Sequence, residues 1–459
     1  MATIQTLLNS FVFWSAWIII PVLVEIIPSI GCVFMLVKRR IQHRGGYPEL
    51  QFDPEITLII PVYNSADSLE ACIRSIDQST YPNSKIDAIF VDNGSKDESF
   101  QVFARCQELF PDVRMQWSSA QQGKSKALNL ALYNSEGEYI INIDSDGVLD
   151  PKALENLVRK YEACPDINCM TGAVLTRPDL VMQYKSPASR LFRRLEFMEY
   201  AQAFLAGRSY ASEFNMVYTL SGAFSSFRKS AILQTFMYDT TTISEDTQLT
   251  FQIRYLHKQK VEMCDEAIFY VEPIEDMNKL YTQRQRWQRG SLEVAHMFGS
   301  KRLAPWRLAD VGVQTLLFDH TFAFPRVIWY VALLCLMALS VSVKTIALSV
   351  LLIFALYVVV GYMYFACVLA LLKMDPPLRA FYLGNWWVVA LLPFFNLGVF
   401  FIRLAGIVNS IGTSGAWKTR DLTEEGAAFR EAVREQARAV TKPLRALRRA
   451  VNKEEAHEE

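Results

Sequence analysis

The chain has no net charge. Its 459 residues hold 47 Lys and Arg against 47 Asp and Glu. A basic surface over the whole chain, the footprint of a nucleic-acid binder, is thereby excluded. No nucleic-acid partner is expected. Disorder is excluded as well, since 51% of the residues are apolar and 20% are charged. The cysteines, at 32, 72, 106, 164, 169, 264, 335 and 367, contain no CxxC pair. In a reducing compartment they read as free, mostly buried thiols, with neither disulfides nor zinc. His43, His257, His296, His320 and His457 show no ligand spacing, so no His-based metal site is expected.

Charge is also missing locally. Residues 1–37 carry one charged side chain, Glu25, and residues 327–343, 345–372 and 380–402 carry none. About 20 apolar residues cross a bilayer, so these stretches read as membrane segments. The first lacks the basic start, the short apolar core and the small-residue cleavage site of a signal peptide. It reads as a retained anchor over residues 1–40. Lys38, Arg39, Arg40 and Arg44 follow it, whereas the first ten residues carry no charged side chain. The positive-inside rule then places the following chain in the cytoplasm.

Residues 321–412 read as the C-terminal membrane helices. Spans at 327–343, 345–372 and 380–402 would leave the tail outside, whereas the basic residues around Lys373 and Arg379 and after Lys418 suit the cytoplasm. Pro393 interrupts the last stretch. A bent or re-entrant hairpin between 380 and 412 reconciles the two. The expectation is a multi-pass plasma-membrane protein with a cytoplasmic catalytic part, a surface helix at 301–320 and a charged cytoplasmic tail at 413–459. Residues 187–208 and 303–318 mix Arg with Leu, Phe and Trp and read as amphipathic helices on the membrane surface. The tail alternates Glu and Arg at helical spacing, a solvated helix that could serve self-association or a biosynthetic complex.

What is present between residues 50 and 300 is an alternation of strand and helix signals. Ile56–Pro61, Asp87–Val91 and Glu138–Ile143 are short apolar runs, read as buried strands, and Ser68–Asp77 and Lys124–Tyr133 have helical spacing. This pattern implies an α/β fold with a parallel sheet, whose ligands bind beyond the carboxyl ends of the strands. Each strand runs into polar residues there: Pro61-Val62-Tyr63-Asn64, Asp92-Asn93-Gly94-Ser95 and Asp144-Ser145-Asp146. Asp144 and Asp146, two apart on an extended chain, face the same way and suit a hard divalent cation that keeps waters and phosphate oxygens as its other ligands. Asp92 before Asn-Gly is equally a turn former. Lys124, after Gly123 and before a helix, can meet a diphosphate. Ser244-Glu245-Asp246 has the composition of a helix cap with two acids at the positive end of the dipole. Gln283, Arg286 and Trp287, at i, i+3 and i+4, share one helix face, which also suits a membrane interface.

The ordered set PVYN (61–64), VDNGSKD (91–97), GKSKALNLAL (123–132), DSD (144–146), SED (244–246) and QRQRW (283–287) resembles the family-2 inverting glycosyltransferases. Within them it resembles the membrane-embedded processive branch of hyaluronan, chitin, cellulose and poly-N-acetylglucosamine synthases. The FWSAWIIIP stretch also resembles exosortase-associated glycosyltransferases of Gram-positive bacteria. The resemblance implies a GT-A (Rossmann-like) catalytic domain between membrane helices, a UDP-sugar donor, a glycan or lipid-linked acceptor and Mg2+ or Mn2+. It implies nucleotide contacts at Pro61, Tyr63, Asn64, Asp92, Lys124, Asp144 and Arg286, with Lys126 an alternative to Lys124. Metal would sit on Asp144 and Asp146. Asp246 would be the base that takes the acceptor proton, supported by Glu245. Ser221, Gly222, Gln283, Trp287 and Trp417 would contact the acceptor. Asn93 departs from the commoner V-D-D-G-S and leaves open which carboxylate reads the base. Transfer of a single sugar to a lipid carrier, or a catalytically silent export subunit, are the alternatives.

The zero net charge is a sum over unlike zones. Residues 51–150 hold 7 basic against 16 acidic side chains, and residues 301–459 hold 18 against 12. Acids gather where metal and nucleotide are expected, and bases where the chain meets a membrane.

Overall fold

Strand β1 (Ile56–Val62, ITLIIPV) is buried along its whole length. Such a continuous apolar run suits a parallel strand covered on both faces. It pairs in parallel with β2 (Ile86–Asp92) and β4 (Tyr139–Ile143), and β2 pairs in parallel with β3 (Arg114–Ser119). The computed structural model describes residues 26–42, 47–184, 186–298, 331, 343–412 and 423–424. The first 25 residues of the anchor, the surface helix at 301–320, nearly all of the 327–343 span, Trp417 and nearly all of the tail lie outside the described residues.

Side chains alternate across the sheet. Leu58, Ile60 and Val62 point to one face, packed with the helices Leu69–Asp77, Ser99–Leu109 and Ala153–Ala163. Ile59, Ile89 and Val91 point to the other, against Ala127, Leu128 and Ala131 of the Lys124–Asn134 helix. The three apolar runs and two helices expected from the sequence are all present within a residue or two.

The sheet has eight strands in the order β3-β2-β1-β4-β7-β6-β8-β5, adding β5 (Gly147–Leu149), β6 (Cys169–Thr176), β7 (Phe224–Arg228) and β8 (Val261–Val271). The expected parallel pairing holds for β3, β2, β1 and β4 and recurs between β6 and β8, but β7 runs antiparallel to both β4 and β6. The cause is local. Ser221 and Gly222 lie beside the carboxyl end of β4, where Asp144 N donates to Ala223 O at 3.2 Å, so the strand leaving them runs back down the sheet. Strand β3 escaped the sequence reading because RMQWSS is a polar edge strand, with no buried position.

Two C-terminal stretches, Ile346–Met374 and Trp386–Ile407, are long and apolar enough to cross a membrane. The uncharged run 380–402 is not one helix. A short helix, Pro376–Gly384, ends at Asn385, and after a 3-10 turn the chain continues as the helix Leu392–Gly412. The break falls at Asn385 rather than at Pro393, because Pro393 occupies the first turn of the new helix, where its missing N–H has no partner to lose.

The Pro187–Tyr200 helix lies against protein. Phe197 and Met198 are buried together with Phe365, Val368, Tyr382 and Val388 of the C-terminal helices, and Phe197 meets Phe381 edge-on at 5.0 Å. A second contact joins the Met277–Phe298 helix, through Leu280 and Tyr281, to Val399 and Ile402. The helix that carries QRQRW therefore rests on the last apolar helix.

Candidate active site

Gly222 stands at the centre of the site. Its carbonyl oxygen accepts hydrogen bonds from Lys124 Nζ at 3.1 Å and from Asn142 Nδ2 at 3.0 Å, and its N–H donates to Asp246 Oδ2 at 3.1 Å. Lys124, the first residue of its helix, also donates to Asp144 Oδ1 at 2.5 Å and lies 3.9 Å from Glu245 Oε1. Residues from three of the motifs, GKSKALNLAL, DSD and SED, thus meet Gly222 at the carboxyl end of β4, where an open α/β sheet places its ligands. Asp246 is oriented twice, since its Oδ1 accepts the Thr247 N–H at 2.6 Å while Oδ2 faces Gly222. A side chain at 222 would crowd that carboxylate, because a Cβ there would stand 3.0 Å from Asp246 Oδ2.

The acids outnumber the cations here, and their proton affinities shift accordingly. Asp146 is exposed, yet protein surrounds it on most sides; the resulting desolvation, then the Asp144 charge, push its carboxyl up to about 6. Burial pushes Glu245 up to about 7, with Lys124 working against the shift and Asp246 adding to it. Lys124 behaves oppositely. Burial alone would lower its pKa, but Asp144 and Glu245 hold it above the ordinary lysine value.

The first two strand-end loops are tied into one surface. Pro61 is buried within β1, whereas Tyr63, just beyond it, is 45% exposed and free to meet a planar ligand. Asn64 adopts φ +49°, accepts the Lys96 N–H at 2.8 Å and donates its own to Ser95 Oγ at 3.0 Å. Asp92 caps its turn by accepting the Ser95 N–H at 2.9 Å, the turn-former role. The departure at Asn93 has a visible use. Its Oδ1 accepts the Gly123 N–H at 2.5 Å and so fixes the residue before Lys124, which sits at φ +137°, where glycine is favoured. Ser65 and Ser145 share a hydroxyl hydrogen bond of 2.8 Å that joins the PVYN loop to DSD. Lys126 is exposed and donates to Gln121 Oε1 at 3.2 Å, outside this group.

The helix Met277–Phe298 supplies the other wall. Gln283, Arg286 and Trp287 are half-buried, while Arg284, Gln285 and Gln288 between and beyond them are buried. Trp287 meets Phe204 edge-on at 5.8 Å, and the Arg284 guanidinium lies 4.3 Å from its ring while bonding Glu199 Oε2 at 2.5 Å. Ser221 lies at the mouth of β7, its N–H donating to Thr171 Oγ1 at 3.1 Å.

Residues 57–233 match the model of the family described as Glycosyl transferase family 2. The chain carries a family 2 glycosyltransferase domain. A poly-beta-1,6-N-acetyl-D-glucosamine synthase of Staphylococcus aureus (strain MSSA476) is 23% identical over 289 residues, 61% of this chain and 66% of that protein. The synthase of the same name from Staphylococcus epidermidis is 24% identical over 52% of this chain and 55% of its own length. The match therefore spans just under two thirds of the first of these relatives and about half of the second. Among solved structures, the mannosyltransferase PcManGT from Pyrobaculum calidifontis, in complex with GDP-Man and Mn2+, shares the fold. It superposes with a TM-score of 0.52 at 17% identity, over 86% of this chain and 99% of that one. The architecture is GT-A-like.

The site also contains residues that the motifs did not name. Asn142 is one, a buried amide inside the apolar strand YIINI, and an amide in such a run was the available signal. Gly290 is another. A Cβ at this position would stand 1.7 Å from Ser244 Oγ, so glycine lets the QRQRW helix press against the SED segment. Replacing Gly290 with Ala should separate the two by several tenths of an ångström and reduce kcat by about 100-fold, the cost of a small misplacement. Kinetics with thermal melting check this; unchanged kcat would mean that the two segments act independently.

Proposed function

We propose that this protein is a membrane-bound inverting glycosyltransferase that moves a sugar from a UDP-sugar to a growing polysaccharide and passes the product along its membrane helices. The observation that carries this reading is the meeting of Lys124, Asp144, Glu245 and Asp246 around Gly222 at the strand ends. Tyr63 and Asp92 offer a face and an edge to uracil, with Pro61 and Asn64 setting the loop. Lys124 at a helix start meets the diphosphate, and Arg286 adds a second positive charge.

Asp144 and Asp146 are the residues that would hold Mg2+ or Mn2+. Among the described residues no group of three or more His, Cys, Asp or Glu is arranged for a metal. Two carboxylates are nonetheless what Mg2+ commonly takes from a protein when phosphates complete its shell. The raised Asp146 carboxyl fits a place where positive charge is wanted. When bound, such an ion would neutralise charge growing on the leaving diphosphate.

Asp246 takes the acceptor proton as the hydroxyl attacks the anomeric carbon, which inverts. Glu245 keeps Lys124 beside the base. Ser221, Gly222, Gln283 and Trp287 form the acceptor side, and Trp287 offers a ring to a sugar. Lys38, Arg39 and Arg40, after the first apolar stretch, support a cytoplasmic catalytic domain in a multi-pass bacterial membrane protein.

The test is UDP release by the purified full chain from a panel of UDP-sugars, followed by sizing of the product. A polymer is expected, with UDP-N-acetylglucosamine preferred. A product lengthened by one sugar would show single transfer, and no UDP release from any donor would overturn the reading.

A further inference from the structure

Arg284 is the second residue of QRQRW, and the proposed mechanism gives it no role. Its side chain is nevertheless only 1% exposed. A buried cation is costly unless it is paired, and an apolar side chain would fill the same space without that penalty. The pairing is present. Arg284 Nη2 donates to Glu199 Oε2 at 2.5 Å, and Glu199 belongs to none of the motifs. The guanidinium also lies 4.3 Å from the centroid of the Trp287 ring and 5.4 Å from that of Tyr200. A cation over an indole is attracted by the electron density of the ring. Arginine alone can bond a carboxylate at its edge and stack on an aromatic ring with its face. The place of the guanidinium and the tilt of the Trp287 ring are thereby linked.

The carboxylate comes from a different element. Glu199 is the last residue but one of the Pro187–Tyr200 helix. One turn earlier, Glu196 accepts the Ile274 N–H at 3.0 Å, just before the Met277–Phe298 helix begins. Burial pushes the Glu196 carboxyl up to about 8, against the Arg284 charge, so at neutral pH Glu196 mostly keeps its proton and Glu199 is the anion that meets Arg284. The helix then passes into a seven-residue π-helix, Ala201–Gly207, a rare form that gathers at functional sites. Its Phe204 meets Trp287 edge-on at 5.8 Å, and the Arg208 guanidinium lies 4.6 Å from the Phe204 ring. One continuous helical segment therefore reaches Trp287 twice, directly through Phe204 and, from Glu199, through Arg284.

We propose that Glu199 is a positioning residue for sugar transfer: by holding the Arg284 guanidinium over Trp287, it sets the tilt of the indole. Glu199 touches neither donor nor acceptor and acts only through that ring. This rests on the reading of Trp287 as an acceptor contact and deepens it by naming the residues that aim it.

The test measures UDP release by the full-length protein from UDP-N-acetylglucosamine, as kcat and donor KM. The variants are Glu199→Gln, Trp287→Ala and the two combined. Glu199→Gln keeps the side chain's length but not its charge, and should lower kcat roughly 30-fold with the donor KM within about twofold, the pattern of a misplaced group. Trp287→Ala should lower kcat roughly 100-fold. The combined variant should match Trp287→Ala within about twofold, because residues that act as a unit are not additive. Glu199→Asp keeps the charge with a shorter reach and should lower kcat only about tenfold. It is carried through the same cycle, so a Gln variant that folds poorly does not decide the matter. A combined variant that loses the two factors multiplied, roughly 3,000-fold, would make Glu199 a structural residue and overturn the inference. Wild-type kcat in Glu199→Gln, or a loss carried by the donor KM, overturns it too. All three results leave the functional reading standing. A wild type that releases no UDP overturns that reading, and the inference falls with it.

Discussion

Asp246→Asn should reduce sugar transfer by about 100- to 10,000-fold, the range for loss of a general base, and leave UDP-sugar binding within about threefold. The substitution is nearly isosteric, and the two backbone donors show why the effect should be chemical. Asp246 uses one oxygen for Gly222 N–H and the other for Thr247 N–H. Asparagine retains one acceptor, so one of these bonds is lost, at a local cost of about 1 kcal/mol. That is far less than the barrier increase expected from removing the proton acceptor. The competitor for the role is Glu245, whose carboxyl is pushed up to about 7 by burial, against the charge of Lys124 and with that of Asp246. A pKa near neutrality also suits a base. Geometry favours Asp246, because Glu245 turns toward Lys124 at 3.9 Å. Turnover with calorimetric donor binding separates the two. If Asp246→Asn keeps its turnover and Glu245→Gln loses it, the base is Glu245.

Much of this site could be read from the chain because its motifs end strands. ITLIIPV, DAIFV and EYIINI are apolar enough to be buried strands, and a polar residue following such a strand in a parallel sheet has one place to go. Asp144, Asp92 and Tyr63 were legible for that reason. Gly222 and the SED segment were less so. Their meeting with Lys124 depends on β7 turning back beside β4, a long-range pairing with no local signal. Asn93 looked like a departure that put base recognition in doubt, whereas its amide serves the backbone at Gly123. Arg208 and Phe204 were hidden altogether. In sequence they belong to a run of Arg and apolar residues that suits a membrane surface, and only the π-helix and the packing of Phe204 on Trp287 bring them beside the QRQRW helix. The membrane region was legible as composition and misleading as geometry, since an uncharged run does not show where a helix breaks.

Lys124→Met should destabilise the ligand-free protein by ~2 kcal/mol at pH 8 and much less at pH 5, and should weaken UDP-sugar binding by at least about tenfold. The Lys124 and Asp144 side chains are 21% and 27% exposed, so the pair is screened only in part. Removing the ammonium takes the cation away from Asp144 and Glu245 together and leaves Asp146 and Asp246 nearby with less compensation. The sign follows from the carboxyls already raised in the folded protein, Asp146 to about 6 and Glu245 to about 7. Where a folded carboxyl titrates higher than in the unfolded chain, the folded state holds the extra proton, and stability falls as pH rises through that interval. Without Lys124 both values move higher, so the interval widens and the deficit grows from pH 5 to pH 8. Thermal midpoints across that range check this, and a deficit that stays constant with pH would assign Lys124 a packing role. The same charge balance explains why a lysine stands here at all. It holds the acid cluster together, and a donor diphosphate bound as proposed would compete with Asp144 for it. On the proposed reading, the exchange of one anion for another at Lys124 is the step by which donor binding would free Asp144.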